Sequence, residues 1–561
     1  SPDFTDRMLA SFDDLDETTD GLLVHSENWQ ALNLLTEKYR ERVKCIYIDP
    51  PYNTGSDEFL YRDNYQHSSW LAMMQNRLDT AGIFLMSQGL VFINIDEREQ
   101  SRLESLVEKI FGYGNSLGPF IWLARAGKAV TERRLQVVHE YLLCACKSIA
   151  DVKLKLVEKK VTECRYTDER GKYNREILRQ WGGQHDRRED RPTLYFSIPS
   201  PFGVDVYPKR PDGSDGCWRA SREQVEKMLL AGDIEFVRNE GSGEITVYRK
   251  IREGTITLSA PSNILDACGT SATATTAIKD LFSDKVFDTA KPVALTKRCI
   301  SLLADGSGGF VLDFFAGSGT TGHATINLNR EDGGRRKFIL VEMAQYFDTV
   351  LLPRIKKVTF SPEWKDGKPK RMATAEEAER SPRIVKVIRL ESYEDALNNI
   401  AFDEPSGQQA MQFEDYLLQY MLRWETRKSE TLLNVETLAK PFSYQLHIHR
   451  DGATRAQAVD LPETFAYLLG LYVQKRQALN DSDRRYLVYR GATREGRKVA
   501  VIWRDTEGWN EKDYKRDKEF VAAQKLTEGM DELYVNGDSY IPGARALESL
   551  FKERMFAPVE V

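Results

Sequence analysis

Val43-Lys44-Cys45-Ile46-Tyr47-Ile48-Asp49-Pro50-Pro51-Tyr52-Asn53-Thr54-Gly55 is the stretch on which the reading of the chain turns. Val43 to Ile48 is a compact apolar run with Lys44 as its only charge, the pattern of a buried strand. Pro50 and Pro51 end that strand, because neither can donate to a ladder. Asp49 is therefore expected at the carboxyl end of a strand, where open α/β sheets place their ligands. A carboxylate, two ring-stiffened carbonyls and the Tyr52 ring are held together on one short elbow.

Working outward, helical and strand patterns alternate. Residues 21–42 read as a helix capped by Ser26, with Trp29, Leu32, Leu35 and Tyr39 along one face. Residues 53–69 read as a loop near the elbow and 70–86 as a second amphipathic helix. Leu90 to Ile95 is a strand, Glu97 to Phe111 a helix, and 137–146 another strand. The alternation argues for an α/β sheet. From about 150 to 285 the texture changes to charges, Gly, Pro and isolated aromatics. Arg165, Arg170, Arg175, Arg179, Arg187, Arg188 and Arg191 crowd one part of it, among Tyr166, Tyr173 and Trp181. Arginine with aromatics suits phosphate contact, guanine reading and base stacking. Six acidic residues in the same stretch leave a solvated surface as the other reading.

Near residue 287 the α/β texture returns. A helix is expected over 291–304, just after Lys291-Pro292. Phe310 to Phe315 reads as a buried strand that runs into Ala316-Gly317-Ser318-Gly319-Thr320-Thr321-Gly322 and a helix through about Asn329. A strand from Phe338 to Val341 ends in Glu342. Residues 354–371 are basic and read as a linker or DNA-facing edge. Beyond 383, strands are expected at 384–390, 442–449, 484–490 and 498–504, and helices at 409–424, 463–478 and 515–527.

The 561 residues are too many for one core, so two to four domains are expected. Charged residues at 29% and hydrophobic ones at 41% are ordinary for a soluble protein. No run approaches the roughly 18 apolar residues of a membrane span, and no signal peptide is visible. The net charge of −6 gives no global nucleic-acid signature, although a local basic groove would suffice. Ser1 rather than Met opens the chain, so a trimmed protein lacking native N-terminal residues is expected. The seven cysteines are scattered without a Cys-x-x-Cys pair, which points to a reducing cytoplasm. Cys144 and Cys146 are expected to be buried on one strand face, and His447 and His449 to lie on a strand surface. No metal is suggested.

A strand, a tight glycine turn and a helix N-terminus form a site for the polar end of a ligand. Gly317, Gly319 and Gly322 satisfy Gly-x-Gly-x-x-Gly, with Glu342 about 20 residues on, where an acid meets ribose hydroxyls. Alone, that pattern suggests a dinucleotide and a dehydrogenase, or a turn that only packs helix on strand. The elbow separates the ligands. Hydride transfer has no use for Asp-Pro-Pro-Tyr, whereas methylation of an exocyclic amine does. A carboxylate and a carbonyl can accept that amine's two N–H bonds and free its lone pair. An aromatic ring can stack on a base that has left the duplex.

With both motifs in view, the chain resembles the amino-group DNA methyltransferases that use S-adenosylmethionine. Asp49-Pro50-Pro51-Tyr52 matches their catalytic motif, and Phe315-Ala316-Gly317-Ser318-Gly319-Thr320-Thr321 their cofactor motif. The catalytic motif comes first, as in their β group. The extended elbow through Gly55, the run Asn94-Ile95-Asp96 and the run His139-Glu140-Tyr141 resemble modification subunits of type III restriction systems. The resemblance spans roughly residues 20–350. It implies a circularly permuted Rossmann-like α/β fold with an inserted target-recognition domain and a C-terminal α/β domain. Its segments would be a catalytic half at 1–149, target recognition at 150–285 and a cofactor half at 286–360. A basic linker at 361–382 and a C-terminal domain at 383–561, with no role assigned, would follow.

The resemblance further implies that Asp49 and the Pro50 carbonyl engage the target amine, with Pro51 in the same motif, and that Tyr52 stacks on the base. Asp313, Phe315, Ala316, Gly317, Ser318, Gly319, Thr320 and Thr321 would surround S-adenosylmethionine, and Glu342 would bind its ribose. Lys291 and Pro292 with Leu295 would close over its methionine end, and Asn53 and Thr54 would join them. Arg165, Arg170, Arg175, Arg179, Arg187, Arg188, Tyr173 and Trp181 would face DNA. Asp at position 49 resembles adenine-N6 enzymes more than cytosine-N4 enzymes. The implied activity is sequence-specific adenine methylation of double-stranded DNA in restriction–modification or a related phage defence. The expected partners are a second copy or a restriction or helicase-nuclease subunit, with no membrane. Cytosine-N4 methylation and a non-catalytic recognition subunit are the alternatives.

Overall fold

The computed structural model describes residues 2–53, 66–125, 136–181, 185–304, 306–399, 438–450 and 452–556. They form two compact units, one of residues 155–261 and one of the rest.

The larger unit is organised by a nine-stranded sheet. Its strands are β1 (Thr19–His25), β2 (Val43–Ile48), β3 (Leu85–Ile95), β4 (Ser116–Trp122) and β5 (Glu140–Cys146), then β6 (Ile264–Leu265), β7 (Gly308–Asp313), β8 (Arg335–Glu342) and β9 (Ile384–Arg389). The spatial order is β6-β4-β5-β3-β2-β7-β8-β1-β9. All neighbours are parallel except β5, which runs antiparallel to β3 and β4. Both faces are covered, as a mostly parallel sheet requires. Helices Asn28–Tyr39, His67–Phe84 and Gln100–Phe111 pack Leu32, Met74 and Leu103 on one face. Helices Val293–Ile300 and Thr320–Asp332 pack Leu295, Cys299 and Leu328 on the other. Cys144 and Cys146 are buried in that second layer, the expected same-face pair.

The order of the sheet brings together what the chain separates. β2 and β7 are parallel neighbours with Leu312 opposite Ile46. The elbow after β2 and the glycine turn after β7 therefore leave the same edge side by side. The strand order reverses between them, the place where open α/β sheets form a ligand crevice.

Several sequence expectations need correction. Residues 21–25 belong to β1, a central strand between β8 and β9, and the helix begins only at Asn28. Its cap is Glu27, which accepts the N–H groups of Trp29 and Gln30, while Ser26 bonds to Gln30 Oε1. Leu22-Leu23-Val24 is a short apolar run that periodicity cannot assign. The expected 463–478 helix ends at Leu468, and Tyr472–Asp481 is a strand. Gly470, at φ +67°, makes the break, a backbone value open to glycine but strained for most residues. The basic 354–371 stretch is folded. It holds the helix Leu352–Phe360 and the paired strands Trp364–Lys365 and Lys368–Pro369. The helix expected at 409–424 lies outside the described residues.

Residues expected to open a separate C-terminal domain at 383 instead supply β9 to the large sheet, paired with β1. After them comes a five-stranded sheet of Tyr472–Asp481, Arg484–Ala492, Lys498–Arg504, Glu532–Val535 and Ala544–Ala546. It packs within the larger unit around Phe465, Trp503 and Phe551.

The smaller unit, 155–261, is narrower than the 150–285 stretch set apart by texture. Residues 262–285 contribute β6 and the helix Ser271–Phe282 to the larger unit. The smaller unit has a four-stranded antiparallel sheet in the order Ile234–Arg238, Ile245–Arg252, Gly171–Ile177, Tyr166–Asp168. Leu178, Phe196, Ile198, Trp218, Val225 and Val247 form its own core.

Candidate active site

The elbow is held from three sides. The buried Asn94 donates from Nδ2 to the Ile48 carbonyl at 3.1 Å, which satisfies the last acceptor of β2 before the prolines. Trp70 is fully buried, and its Nε1 donates to the Pro51 carbonyl at 2.9 Å. Beyond the prolines, Asn53 sits at φ +57° and donates to Glu99 Oε1 at 2.8 Å. Such strain is stored at sites where the surroundings over-determine it. Thr54 lies outside the described residues.

The Trp70 bond gives a test of elbow placement. Trp70→Phe keeps most of the packed ring and removes the donor. It is expected to cost about 1–3 kcal/mol of stability, because a buried carbonyl loses its partner. Turnover is expected to fall by about tenfold or more, since roughly 1 Å of misplacement costs about 10²-fold. Thermal unfolding and single-turnover kinetics measure the two effects. Unchanged turnover in a folded variant would show that Trp70 supports only the core.

Asp49 is half-buried, yet its Oδ1 is itself sealed and receives no aligned hydrogen bond among the described residues. Lys291 Nζ lies 3.1 Å from it as an ion-pair contact outside hydrogen-bond alignment. The same nitrogen donates to the Tyr52 hydroxyl at 2.7 Å and to Glu140 Oε2 at 3.1 Å. The Tyr52 hydroxyl in turn donates to Glu140 Oε2 at 2.9 Å. Burial pushes the Asp49 carboxyl above the usual range, Lys291 pulls it back, and Glu140 pushes it up again. Burial works against the Lys291 ammonium, but Asp49 and Glu140 outweigh it and hold its pKa above the ordinary value.

The glycine turn is pinned by its own side chains. Asp313, at the end of β7, accepts from the Phe315 N–H at 3.1 Å and from Thr321 Oγ1 at 2.5 Å. Burial raises the Asp313 carboxyl to about 7 against those two bonds. Gly317 and Gly319 have φ of +52° and +83°, and the turn leads into the 13-residue helix Thr320–Asp332. Glu342 gathers three backbone donors: Gly317 N–H at 2.8 Å, and Met343 and Ala344 N–H at 2.9 Å each. Beneath the turn, the buried Arg354 donates from Nη1 to Ser318 Oγ at 2.7 Å and to Thr320 Oγ1 at 3.0 Å. Burial lowers its guanidinium to about 9.

These positions sort the expected cofactor residues. Phe315 and Gly317 are half-buried at the cleft. Asp313, Ala316, Ser318, Thr320 and Thr321 are buried and shape the turn from behind. Leu295 is enclosed in the core among Cys45 and Leu302, so it packs the sheet rather than closing over a ligand. Pro292 caps the helix Val293–Ile300. Lys291 reaches the elbow, while its backbone carbonyl accepts from Thr320 Oγ1 at 3.4 Å. One residue thus touches both halves of the site. Arg354 stands in the sequence reading only within the basic 354–371 linker or DNA-facing edge, and Glu140 and Trp70 carry no assigned role there. Glu140 alone had a signal there, the His139-Glu140-Tyr141 run.

In the smaller unit, the expected DNA residues divide. Tyr173 is buried with its hydroxyl on Glu235, and Arg175 pairs with Glu235 over the Tyr166 ring. Arg170 pairs with Asp233, and Arg188 with Asp215. Arg179 lies 5.3 Å over the ring of Trp181, which is 68% exposed. Arg165 and Arg187 are exposed and form no ion pair among the described residues.

The chain is 29% identical over 374 residues to the type III restriction-modification enzyme StyLTI Mod subunit of Salmonella typhimurium, covering 61% of this chain and 55% of that one. It is 28% identical over 385 residues to the EcoPI Mod subunit of Escherichia phage P1, covering 58% of each. It is 29% identical over 367 residues to the type II methyltransferase M.KpnI of Klebsiella pneumoniae, covering 61% of this chain and 84% of that one. The chain spans a little over half the length of the two Mod subunits. The family model described as DNA methylase matches residues 43–351, from the first residue of β2 to beyond Glu342. More than half of the chain lies in that match, with the elbow and the glycine turn both inside it, and the chain belongs to the DNA methylase family.

Proposed function

We propose that this chain transfers a methyl group from S-adenosylmethionine to N6 of an adenine flipped out of double-stranded DNA, within a restriction–modification or related defence system. The observation that carries the reading is the half-buried Asp49 carboxylate, held through Oδ1 by Lys291 on a rigid elbow, beside the glycine turn on the neighbouring parallel strand. The residues of the turn fit the cofactor. Gly317 is half-buried, and a Cβ built there would stand 3.5 Å from Phe287 Cζ, filling space at the cleft. The helix N-terminus, the Phe315 ring and the Glu342 carboxylate complete a site with polar and apolar ends.

When bound, S-adenosylmethionine supplies a methyl carbon on sulfonium sulfur, open to displacement by a nitrogen lone pair. The elbow then does the rest by position. Asp49 and the Pro50 carbonyl accept the N–H bonds of the target amine, which frees its lone pair from the ring. Tyr52 offers a stacking face to the extruded base. As the carbon–nitrogen bond forms and the carbon–sulfur bond breaks to leave a neutral thioether, the nitrogen would become cationic, and the ionised Asp49 would accept the proton it must lose.

Adenine is favoured over cytosine by the acid at position 49, on the resemblance given above. The Mod subunits among the relatives support a restriction–modification setting and a restriction-subunit partner. In the smaller unit, Arg179 with the exposed Trp181, and Arg165 and Arg187, are proposed to meet DNA.

Incubation with methyl-labelled S-adenosylmethionine and duplex DNA of mixed sequence, followed by digestion to nucleosides, tests the reading. Label in N6-methyladenine is the expected outcome. Label in N4-methylcytosine would overturn the choice of base, and unlabelled DNA would contradict the methyltransferase reading itself.

A further inference from the structure

We propose that Lys291 and Glu140 are positioning residues of the transfer: Lys291 bridges Asp49 and Glu140, so that Asp49 meets the target amine as a carboxylate and the Tyr52 ring is fixed from its hydroxyl edge. The inference rests on the proposed methyl transfer and deepens it. It moves Lys291 from the cofactor's methionine end, where the sequence motif placed it, to the amine end.

The geometry is specific. Asp49 Oδ1 and Glu140 Oε2 each lie 3.1 Å from the one ammonium, so two carboxylates face one another across it. Both the Lys291 and Glu140 side chains are nearly enclosed, at 11% and 9% exposure, so the charges are weakly screened. The ammonium stands 2.7 Å from the Tyr52 hydroxyl and 4.8 Å from the ring centroid, beyond the hydroxyl edge rather than on the face. A base can therefore stack on Tyr52 while Lys291 stays in place. The hydroxyl both receives from Lys291 and donates to Glu140, which fixes the ring's tilt and rotation.

The electrostatic consequence follows from what surrounds Asp49. Tyr47 on β2, Tyr52 on the elbow, Asp313 at the end of β7 and Glu140 at the start of β5 act on it or are acted on by it. Asp96, at the end of β3, faces Glu140. Each of these groups is neutral or acidic, and Lys291 is the cation that faces Asp49. Without it, burial and Glu140 both favour the protonated acid, which can donate to the amine but cannot take its proton. An opposite charge at such a distance lowers a carboxyl pKa by about 1–3 units. The connection to Thr320 through the Lys291 carbonyl also ties this charge to the cofactor turn.

The test is the pH dependence of single-turnover methyl transfer in Lys291→Met, Glu140→Gln and the double variant. S-adenosylhomocysteine affinity and thermal unfolding are followed beside it. Lys291→Met is expected to move the acid limb upward by about one unit or more. Its loss is then largest near neutrality and partly recovered at pH about 9, with cofactor affinity within about threefold. Glu140→Gln removes the like charge and keeps an acceptor for Tyr52, so its limb moves the other way. The double variant is expected to be more active at neutral pH than Lys291→Met alone. If Lys291→Met does not fold, the direction of the Glu140→Gln shift decides.

An unmoved acid limb in Glu140→Gln, or a loss in Lys291→Met that is equal at every pH, would overturn the inference. So would a fall in cofactor affinity as large as the fall in rate, which would return Lys291 to the cofactor. Unvaried protein that transfers no methyl group would instead overturn the methyltransferase reading, so the two failures are distinct.

Discussion

Asp49→Ala is expected to reduce methyl transfer by about 10³-fold or more, with S-adenosylhomocysteine affinity changed no more than a few-fold. A positioned acid–base group contributes about 10²–10⁴-fold, and Asp49 is also the acceptor that orients the amine. The cofactor half is held independently. Asp313 and Thr321 pin the turn, Glu342 gathers its backbone, and Arg354 supports it from below. None of these contacts runs through Asp49. The variant should also fold well, because it removes a buried charge along with one neighbour of Lys291, and Glu140 remains to pair the ammonium. Quenched single-turnover assays and isothermal titration measure the two quantities. Near-normal transfer by the folded variant would remove Asp49 from the chemistry.

Glu342→Ala should show the opposite pattern, with cofactor affinity and stability falling together. Glu342 lies 3% exposed at the end of β8 and accepts from the N–H groups of Gly317, Met343 and Ala344. Each donor left without a partner costs about 1–3 kcal/mol, less where water enters the gap. The Gly317 N–H bond holds a left-handed turn, so its loss frees the segment that must receive the ligand. A loss of about 3 kcal/mol corresponds to a fall in Tm of roughly 3 °C for a unit of this size. Cofactor affinity is expected to drop by about tenfold, equivalent to about 1.4 kcal/mol. The sequence pattern assigned Glu342 to the ribose. The structure adds a duty to the turn's own backbone, and the joint loss reports it. Unchanged cofactor affinity would take Glu342 out of the site.

The elbow and the glycine turn were legible because each is contiguous in sequence and sits where a strand ends. Asp49 to Tyr52 and Phe315 to Thr321 carry their own punctuation in prolines and glycines. Their adjacency was not legible. It depends on β2 pairing with β7, a choice of neighbours that local sequence does not encode. β1 was read as helix because Leu22-Leu23-Val24, buried on both sides, has no period to betray it. The Tyr472–Asp481 strand is hidden because Gln474-Lys475-Arg476-Gln477 interrupts any apolar alternation, and only Gly470 marks the stop. The Lys291–Glu140–Asp49 bridge joins three separate segments, so no spacing rule reaches it. Leu295 shows the reverse case. A motif residue was read as ligand-facing, while its helix turns it into the core.

The central claim is that two segments some 260 residues apart in sequence form one site. A crystal structure with S-adenosylhomocysteine bound tests it most directly. The account expects the ligand along the glycine turn between Phe315 and Glu342, with its sulfur facing Asp49 across the edge shared by β2 and β7. A ligand bound elsewhere, or one whose sulfur points away from Asp49, would contradict it.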